Sequence, residues 1–573
     1  MSPLKSLQLD PVLSTNGMRA LDATAKELLA KQKSSNPSVE EVIQSGYKLM
    51  QEAGLALFNF VQNKILQNRS CSDIKYIAVF IGGGNNGGDG LVLAKHLLQT
   101  KINTIVFSLA PESKFKNEAK LALDDFLKAG GTLSDSTKFI EMCERDQASP
   151  RDTFAFAVDC MLGNGAKGEL RPEYAKIVKY INKSGIPVIA ADAPTGYDSS
   201  AHVCNEVCIH ATDTMLFGYP RLDAYAKEGR RSFGKVTVAK LSYPKELVQQ
   251  FDENVYLVTE DIIPRLMPKR DEWGDKRIQG SPLIIAGSKD MPGAAALCTE
   301  AALRSGAGLV TLATTEAITP IIQAKLSEPV FCSLENGASS AYGDKKNDTA
   351  KCRGVLQPEH IPTLLKRAKH ASAVAIGPGL SANAATVQAV LKLLPQLSAP
   401  IVIDADALNA IATLNESAIS DDAASNCTAI SDSAAVQYLR DLQAPAVLTP
   451  HIREFARLFG ALPEKSDDIL NNLRIIASST NKVILLKGAP TYIASPDGKV
   501  YIIPVANSGM AKGGSGDVLT GIIVALLSQG LAPAEAAVLG ALLHQKAGRI
   551  TREELGAFSM LPSDVIKNLH KEF

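Results

Sequence analysis

Short apolar runs rich in β-branched residues recur along the chain, each followed by a stretch with helical spacing. KYIAVFI (75–81) gives way to glycines and then to LVLAKHLLQ (91–99). NTIVFSLA (103–110), TFAFAVDCM (153–161), IPVIAADAP (186–194) and ATDTMLF (211–217) continue the series. Strands apolar on both faces and alternating with helices predict a mainly parallel, doubly wound sheet with helices on both sides. The rhythm lapses over 245–270. It resumes with SPLIIAGS (281–288), the Ala-rich helix 293–308, LVTLAT (309–314), SAVAIG (372–377), PIVIDAD (400–406), AVLTP (446–450) and KVILLKG (482–488). A boundary near residue 250 is predicted, giving two α/β domains over 1–250 and 251–573. Two small, polar stretches, 335–354 and 417–433, read as solvated insertions.

Composition narrows the class. At 573 residues the chain exceeds what one hydrophobic core sustains, and 46% hydrophobic with 21% charged residues excludes a mainly disordered chain. Lys plus Arg and Asp plus Glu are 60 each, so no global field recruits nucleic acid or an anionic membrane. No run approaches the ~18 apolar residues of a membrane span. The nine cysteines are odd in number and form no CxxC pair, so neither a disulfide framework nor a zinc site is indicated. Cys204 and Cys208 read as small buried hydrophobes. Asp10, Asp22 and Glu27 in the first thirty residues speak against a secretory leader and disfavour a mitochondrial one. The expected setting is a reducing one, most simply the cytosol.

The first chemistry-bearing motif runs from Gly82 to Gly90, where a strand gives way to a helix. Gly82, Gly84 and Gly87 satisfy GxGxxG, but the next strand ends Phe107-Ser108-Leu109-Ala110, without the acid that holds a dinucleotide ribose. Free N–H groups at the helix start still suit an anion, and Asn85, Asn86 and Asp89 add side-chain oxygens in the loop. Two more strand ends carry polar clusters, Val158 to Glu169 and Ala191 to Asp198. One such Asp is ordinarily a cap or turn former; three clusters at successive strand ends share one crevice.

GGGNNGGDG, VDCMLGNGAKGE and DAPTGYDS, with MRALDATA (18–25) and LMQEAG (49–54), resemble the NAD(P)H-hydrate epimerase domain over residues 10–245. The resemblance implies a Rossmann-like three-layer domain. It assigns substrate binding to Asn85, Asn86, Gly87, Gly88 and Asp89, to Gly163, Asn164, Gly165, Ala166, Lys167, Gly168 and Glu169, and to Asp192. It also implies a potassium ion on Asn86, Asp159 and Thr195, an oxygen-only set suited to a hard cation. Thr195 stands where the family usually has Ser and keeps the hydroxyl. Asp192 is the candidate for proton transfer.

The second motif, Asn507 to Asp517, leads into the apolar helix VLTGIIVALLSQG, and no GxxxxGK[ST] occurs. Glycines at a helix start aim backbone N–H groups at one point, where a phosphoryl group in transfer would sit. Asp517, in the first turn, is expected to be kept ionised by the helix dipole and to deprotonate an attacking hydroxyl. GGSGDVLTG resembles the anion-hole signature of ribokinase-like kinases. AIGPGL (375–380), VIDADALN (402–409), LTPHIREFARLFG (448–460) and LLKGAPT (485–491) bring the resemblance to the NAD(P)H-hydrate dehydratase domain over about 255–570. It implies substrate contacts at Ala294, Gly379, His451 and Asp517. Nucleotide contacts follow at Lys487, Gly488, Ala489, Pro490, Thr491, Gly513, Gly514, Ser515 and Gly516. Arg453-Glu454 stands where relatives often read Gly-Glu.

Together the resemblances imply a bifunctional enzyme acting on hydrated NADH and NADPH (NADHX and NADPHX). One half interconverts the R and S hydrates; the other phosphorylates the S hydrate's ring hydroxyl from ADP or ATP with magnesium, ADP being favoured, and eliminates phosphate. A homo-oligomer is expected. The alternatives are a ribokinase-like kinase for a vitamin precursor, whose product keeps the phosphate, and a non-catalytic nucleotide sensor.

Overall fold

The computed structural model describes all residues except 1–3, 5–6, 68–74, 146–149, 227–228, 336–353, 420–432, 464 and 573. Most of the two segments read as solvated insertions therefore lies outside the described residues. The chain divides into two compact units, Asp10–Val255 and Tyr256–Phe573, the latter including Met1–Leu9. The first nine residues thus belong with the second unit, not with the first as a simple cut at 250 implies. The reason is local: Leu4 is buried in the second unit's core and its N–H donates to Glu535 Oε1 at 3.2 Å.

The first unit is built on seven parallel strands. Their order is Lys235–Ala239, Asp213–Phe217, Val188–Ala191, Phe154–Cys160, Tyr76–Ile81, Thr104–Ser108 and Leu133–Asp135. Side chains alternate across a strand. Ile77, Val79 and Ile81 therefore enter one buried cluster, with Leu91, Leu57 and Leu123 of the helices Asn85–Gln99, Val39–Gln67 and Asn117–Lys128. Ala78 and Phe80 enter the other, with Ile177 and Val178 of the helix Pro172–Ser184. This is a three-layer, doubly wound sandwich. The strand order turns at Tyr76–Ile81, which has Thr104–Ser108 on one side and Phe154–Cys160 on the other. The carboxyl ends of the strands at such a turn open a crevice for ligands.

The second unit's sheet includes, in order, Val255–Leu257, Val500–Ile503, Thr491–Ala494, Val483–Leu486, Ala446–Leu448, Ile401–Ile403, Ala373–Ile376, Pro282–Ile285, Thr311–Thr315 and Val330–Leu334. Val500–Ile503 pairs antiparallel with Thr491–Ala494, and Thr491–Ala494 antiparallel with Val483–Leu486; from Val483–Leu486 to Val330–Leu334 the pairs are parallel. The helix Ser515–Ser528 is buried from Val518 onward, as a helix apolar on every side must be. It packs on the Ala-rich helix Pro292–Arg304, whose small side chains permit close approach; a Cβ on Gly521 would lie 2.2 Å from the Cys298 carbonyl oxygen. Among the described residues no helix is long and apolar enough to cross a membrane, and Cys143, Cys160, Cys204, Cys208, Cys298 and Cys332 are free thiols.

The glycine-rich motif of the first unit differs from the expected loop. The helix begins at Asn85, so Asn86 to Gly90 are already helical. The glycines there are demanded by packing: a Cβ on Gly87 would lie 1.9 Å from the Gly82 carbonyl oxygen, and one on Gly90 would lie 2.8 Å from Cys160 Cβ. Overpacking of this kind costs about 1–3 kcal/mol. Gly87→Ala is therefore expected to destabilise the first unit by about 2 kcal/mol or more, read from denaturant unfolding of the full chain. A midpoint unchanged from the parent would contradict the packing account.

Candidate functional sites

The crevice of the first unit is a cleft of about 740 Å³ at the carboxyl ends of its strands. Its walls include Asn85, Asn86, Asp89, Gly163, Asn164, Gly165, Ala166 and Asp192, which the sequence placed together. Lys167, Gly168 and Glu169 line a second cavity of about 220 Å³ instead, which shares Leu162 and Ala166 with the first. Gly87 and Gly88 are buried in the packing of the helix.

Asp192 adopts φ 61° at the end of its strand. One carboxylate oxygen accepts a hydrogen bond from the Asn164 N–H at 2.9 Å; the other receives the Arg221 guanidinium. Arg221 is itself 1% exposed and grips Asp223 through two bonds of 3.0 and 3.1 Å. Burial alone would lower the guanidinium's proton affinity, but Asp192 and Asp223 outweigh it and hold the charge. A bidentate pair of this kind fixes orientation, so Asp192 clamps the loop that forms the cleft wall.

Beneath the cleft, Asp159 and Thr195 are fully buried and joined to one another. Thr195 donates to Asp159 from both its N–H (2.8 Å) and its hydroxyl (2.7 Å), and the Met161 N–H adds a third bond at 3.1 Å. Burial raises the Asp159 carboxyl to about 6 against these three donors. The Asn86 amide, 7% exposed, has neither its oxygen nor its nitrogen hydrogen-bonded. A buried amide without partners is costly, and Asp159 Oδ2 accepts one bond only. Both observations fit an oxygen-liganded cation there.

Three residues at this cleft were not among the predicted site residues. Asp22, on the helix Thr15–Lys31, accepts a 2.5 Å hydrogen bond from the Tyr243 hydroxyl, and Lys26 lines the cleft one turn further on. Asp22 belongs to the MRALDATA motif; a carboxylate in helical register with the buried Met18 and Ala25, on the packed face of its helix, is the signal that marks it. Tyr243, in a loop after the last strand, carries no such signal.

In the second unit the site is organised around Asp404, 1% exposed at the end of the strand Ile401–Ile403. It accepts from Lys487 Nζ at 2.8 Å and from the Thr520 hydroxyl at 2.7 Å. The buried Glu454 lies 3.7 Å from the same ammonium. Burial works against the Lys487 charge, but Asp404 and Glu454 outweigh it and raise its pKa. A Cβ on Gly516 would lie 3.2 Å from Lys487 Nζ, which puts the ammonium beside the helix start. Asp404, Glu454 and Thr520 were absent from the predicted set, although VIDADALN contains the first.

His451 caps the helix Ile452–Phe459: its Nδ1 accepts from the Arg453 and Glu454 N–H groups at 3.0 and 3.1 Å, and Glu454 answers to the His451 N–H at 2.8 Å. Its Nε2, on a ring half open to solvent, lies 3.5 Å from Glu454 Oε1. Buried Glu454, with exposed Arg453 beside it, keeps the capping box whole despite the unusual pair. The Lys487 N–H donates to the Pro450 carbonyl, so His451 and Lys487 are neighbours. Gly379, at φ 62°, abuts Ala294; a Cβ there would lie 2.8 Å from Ala294 Cβ. Gly488 and Ala489 are exposed, whereas Pro490 and Thr491 are buried, Thr491 donating to the Gly488 carbonyl at 3.0 Å. Gly513 has open space above it and Gly514 adopts φ 101° as the N-cap of the last motif's helix.

Asp517 departs from expectation. Its carboxyl is raised to about 7, by burial first and by the charge of Asp404 next, with Lys487 only partly offsetting them. Burial and a like charge thus outweigh the helix N-terminus that was expected to keep it ionised. Among the described residues no group of three His, Cys, Asp or Glu side chains could hold a metal ion.

The NAD(P)H-hydrate dehydratase family matches residues 282–571, and the family described as YjeF-related protein N-terminus matches residues 46–222. The chain is 36% identical over 533 residues to the bifunctional NAD(P)H-hydrate repair enzyme of Moorella thermoacetica, covering 91% of this chain and 93% of that one. The enzyme of the same description from Escherichia coli is 28% identical over 92% and 89% of the two chains. Among solved structures, the ADP/ATP-dependent NAD(P)H-hydrate dehydratase of Bacillus subtilis, crystallised with ATP and Mg2+, is 28% identical; it covers 55% of this chain and 96% of its own, with a TM-score of 0.41.

The raised Asp517 carboxyl is directly measurable. Its titration, followed by carboxyl NMR in the full chain, is expected to have a midpoint near 7. Asp404→Asn removes the like charge and should move the midpoint down. A parent midpoint near the ordinary carboxylate value of about 4, or an upward move in the variant, would contradict the electrostatics described.

Proposed function

Since the chain belongs to the family of bifunctional NAD(P)H-hydrate repair enzymes, we propose that its two clefts divide the repair of hydrated NADH and NADPH between them. The first unit epimerises the hydrated carbon. The second restores the reduced cofactor in a nucleotide-dependent dehydration. The observation that best supports this division is that each unit holds a complete polar site of its own at its strand ends.

In the second unit the hydrate lies against Ala294, Gly379 and His451, and the nucleotide against Lys487 to Thr491 and the glycines Gly513, Gly514 and Gly516 with Ser515. Asp517 takes the proton of the ring hydroxyl as its oxygen attacks the terminal phosphorus. A carboxyl near 7 is matched to that work, because a base is most effective with a pKa near the working pH. The Ser515–Gly516 backbone and the Lys487 ammonium stabilise the charge on the transferring group. Phosphate then leaves with the electron pair of the carbon–oxygen bond, the neighbouring ring carbon loses a proton, and the electrons of that carbon–hydrogen bond re-form the double bond. ADP is the proposed donor, with magnesium on its phosphates.

In the first unit Asn85, Asn86, Asp89 and the loop Gly163–Ala166 hold the hydrate, with Lys167, Gly168 and Glu169 extending the surface into the adjoining cavity. Potassium on Asn86, Asp159 and Thr195 would supply positive charge beneath the cleft and order its walls.

Asp517→Asn keeps shape and capping but removes the basic oxygen. Dehydration is expected to fall about 10²- to 10⁴-fold with nucleotide affinity nearly unchanged; a variant as fast as the parent would remove Asp517 from the mechanism. In the first unit, epimerisation is expected to rise with potassium, with choline holding ionic strength constant, and Asp159→Ala should abolish that response while leaving dehydration intact. Indifference of the dialysed parent to potassium would return Asp159 to a structural role.

A further inference from the structure

The cleft of the first unit contains more acid than its clamp requires. Asp192 is committed on both oxygens, to Arg221 and to the Asn164 N–H. An oxygen held by a buried guanidinium and an oxygen held by a loop amide are poor proton carriers. Across the cleft, Asp22 is bound on Oδ1 alone, by the 2.5 Å bond from Tyr243, and both residues line the cavity.

We infer that Asp22, positioned by Tyr243, is the group that moves the proton in epimerisation, and that Asp192 anchors the cleft wall. The inference rests on the epimerase reading of this unit. Hydrating an enamine double bond beside a ring nitrogen gives a hemiaminal, and a hemiaminal carbon changes configuration by opening and reclosing. Asp22 removes the hydroxyl proton; the oxygen electrons form a carbonyl while the carbon–nitrogen bond breaks; the nitrogen receives that pair of electrons and the same proton from Asp22. The carbonyl turns its other face, and the steps run in reverse. No atom or electron enters or leaves.

The surroundings suit this task. Burial raises the Asp22 carboxyl above its ordinary range; the Tyr243 hydrogen bond and Lys26 oppose the rise, while Asp192 and Glu118 add to it. Asp89 is also raised, by burial first and by the like charges of Asp192 and Asp22 next. Lys26, in a 2.9 Å ion pair with Glu118, lines the cleft together with Arg19 and Glu27 of the same helix. Tyr243 is raised beyond any working pH by burial and by Asp22. It therefore acts only as a donor that fixes the carboxylate's orientation.

The test uses the full chain, pure R hydrate of NADH, and epimer-resolved chromatography, with S-hydrate dehydration as the internal control of folding. Asp22→Asn is expected to lower the epimerisation kcat at least 100-fold with little change in KM, and Asp22→Glu to restore part of it. Tyr243→Phe removes a bond that favours the carboxylate, so the acid limb of its pH–rate profile should move to higher pH. A structural role would not move that limb. Asp192→Asn should raise KM more than it lowers kcat. Asp22→Asn at the parent rate, or a Tyr243→Phe profile superimposed on the parent's, would overturn the inference. A parent that leaves the R hydrate unchanged would instead refute the epimerase reading beneath it.

Discussion

Each unit sets a cation, buried in the first and partly buried in the second, among more carboxylates than it can neutralise. Arg221 faces Asp192 and Asp223; Lys487 faces Asp404 and Glu454, with Asp517 close by. Removing one partner of a buried pair leaves an uncompensated charge and costs several kcal/mol, so these cations hold the strand ends in register with the loops above them. Close to these clusters, burial first and like charge next raise Asp517 to about 7 in the second unit and raise Asp22 and Asp89 in the first, and the chemistry follows from those raised carboxyls.

Where the crowding occurs is dictated by topology. In the second unit the charged cluster follows the adjacent strands Ile401–Ile403, Ala446–Leu448 and Val483–Leu486, away from the turn in strand order at Pro282–Ile285; in the first the order turns at Tyr76–Ile81, whose carboxyl end opens on the cleft. The loops leaving neighbouring strands there part to opposite faces and expose backbone N–H groups between them. Glycine is used in two ways at these ends. Gly87 and Gly90 let a helix press against strands, whereas Gly514 turns the chain through a positive φ so that a helix can start facing the site.

The strand series, both sandwiches and the grouping of most site motifs were legible in the sequence, because parallel strands buried on both faces produce apolar runs and their carboxyl ends produce polar clusters. The antiparallel pair Thr491–Ala494 and Val500–Ile503 was missed, lying after the last long apolar run and lacking a helix between its strands. The ionisation of Asp517 was misjudged because the helix start is visible in the sequence and the burial is not. Asp404, Arg221 and Tyr243 escaped for a related reason: each matters through a partner tens or hundreds of residues away, as in the 83-residue separation of Lys487 from Asp404. The attachment of the first residues to the second unit is likewise made at a distance, by Leu4, Leu7 and Leu9 against its core and by the Leu4 N–H bond to Glu535.

The most direct test of a chain that divides one repair between two clefts is a stoichiometric one. An equal mixture of the two NADH hydrate epimers is given to the full chain with ADP and magnesium in excess, and the recovered NADH absorbance, the free phosphate and the remaining epimers are followed together. The account predicts one phosphate released per NADH recovered, with the two epimers held at a constant ratio until both are exhausted. A phosphorylated product that accumulates, or recovery that halts with one epimer untouched, would contradict it.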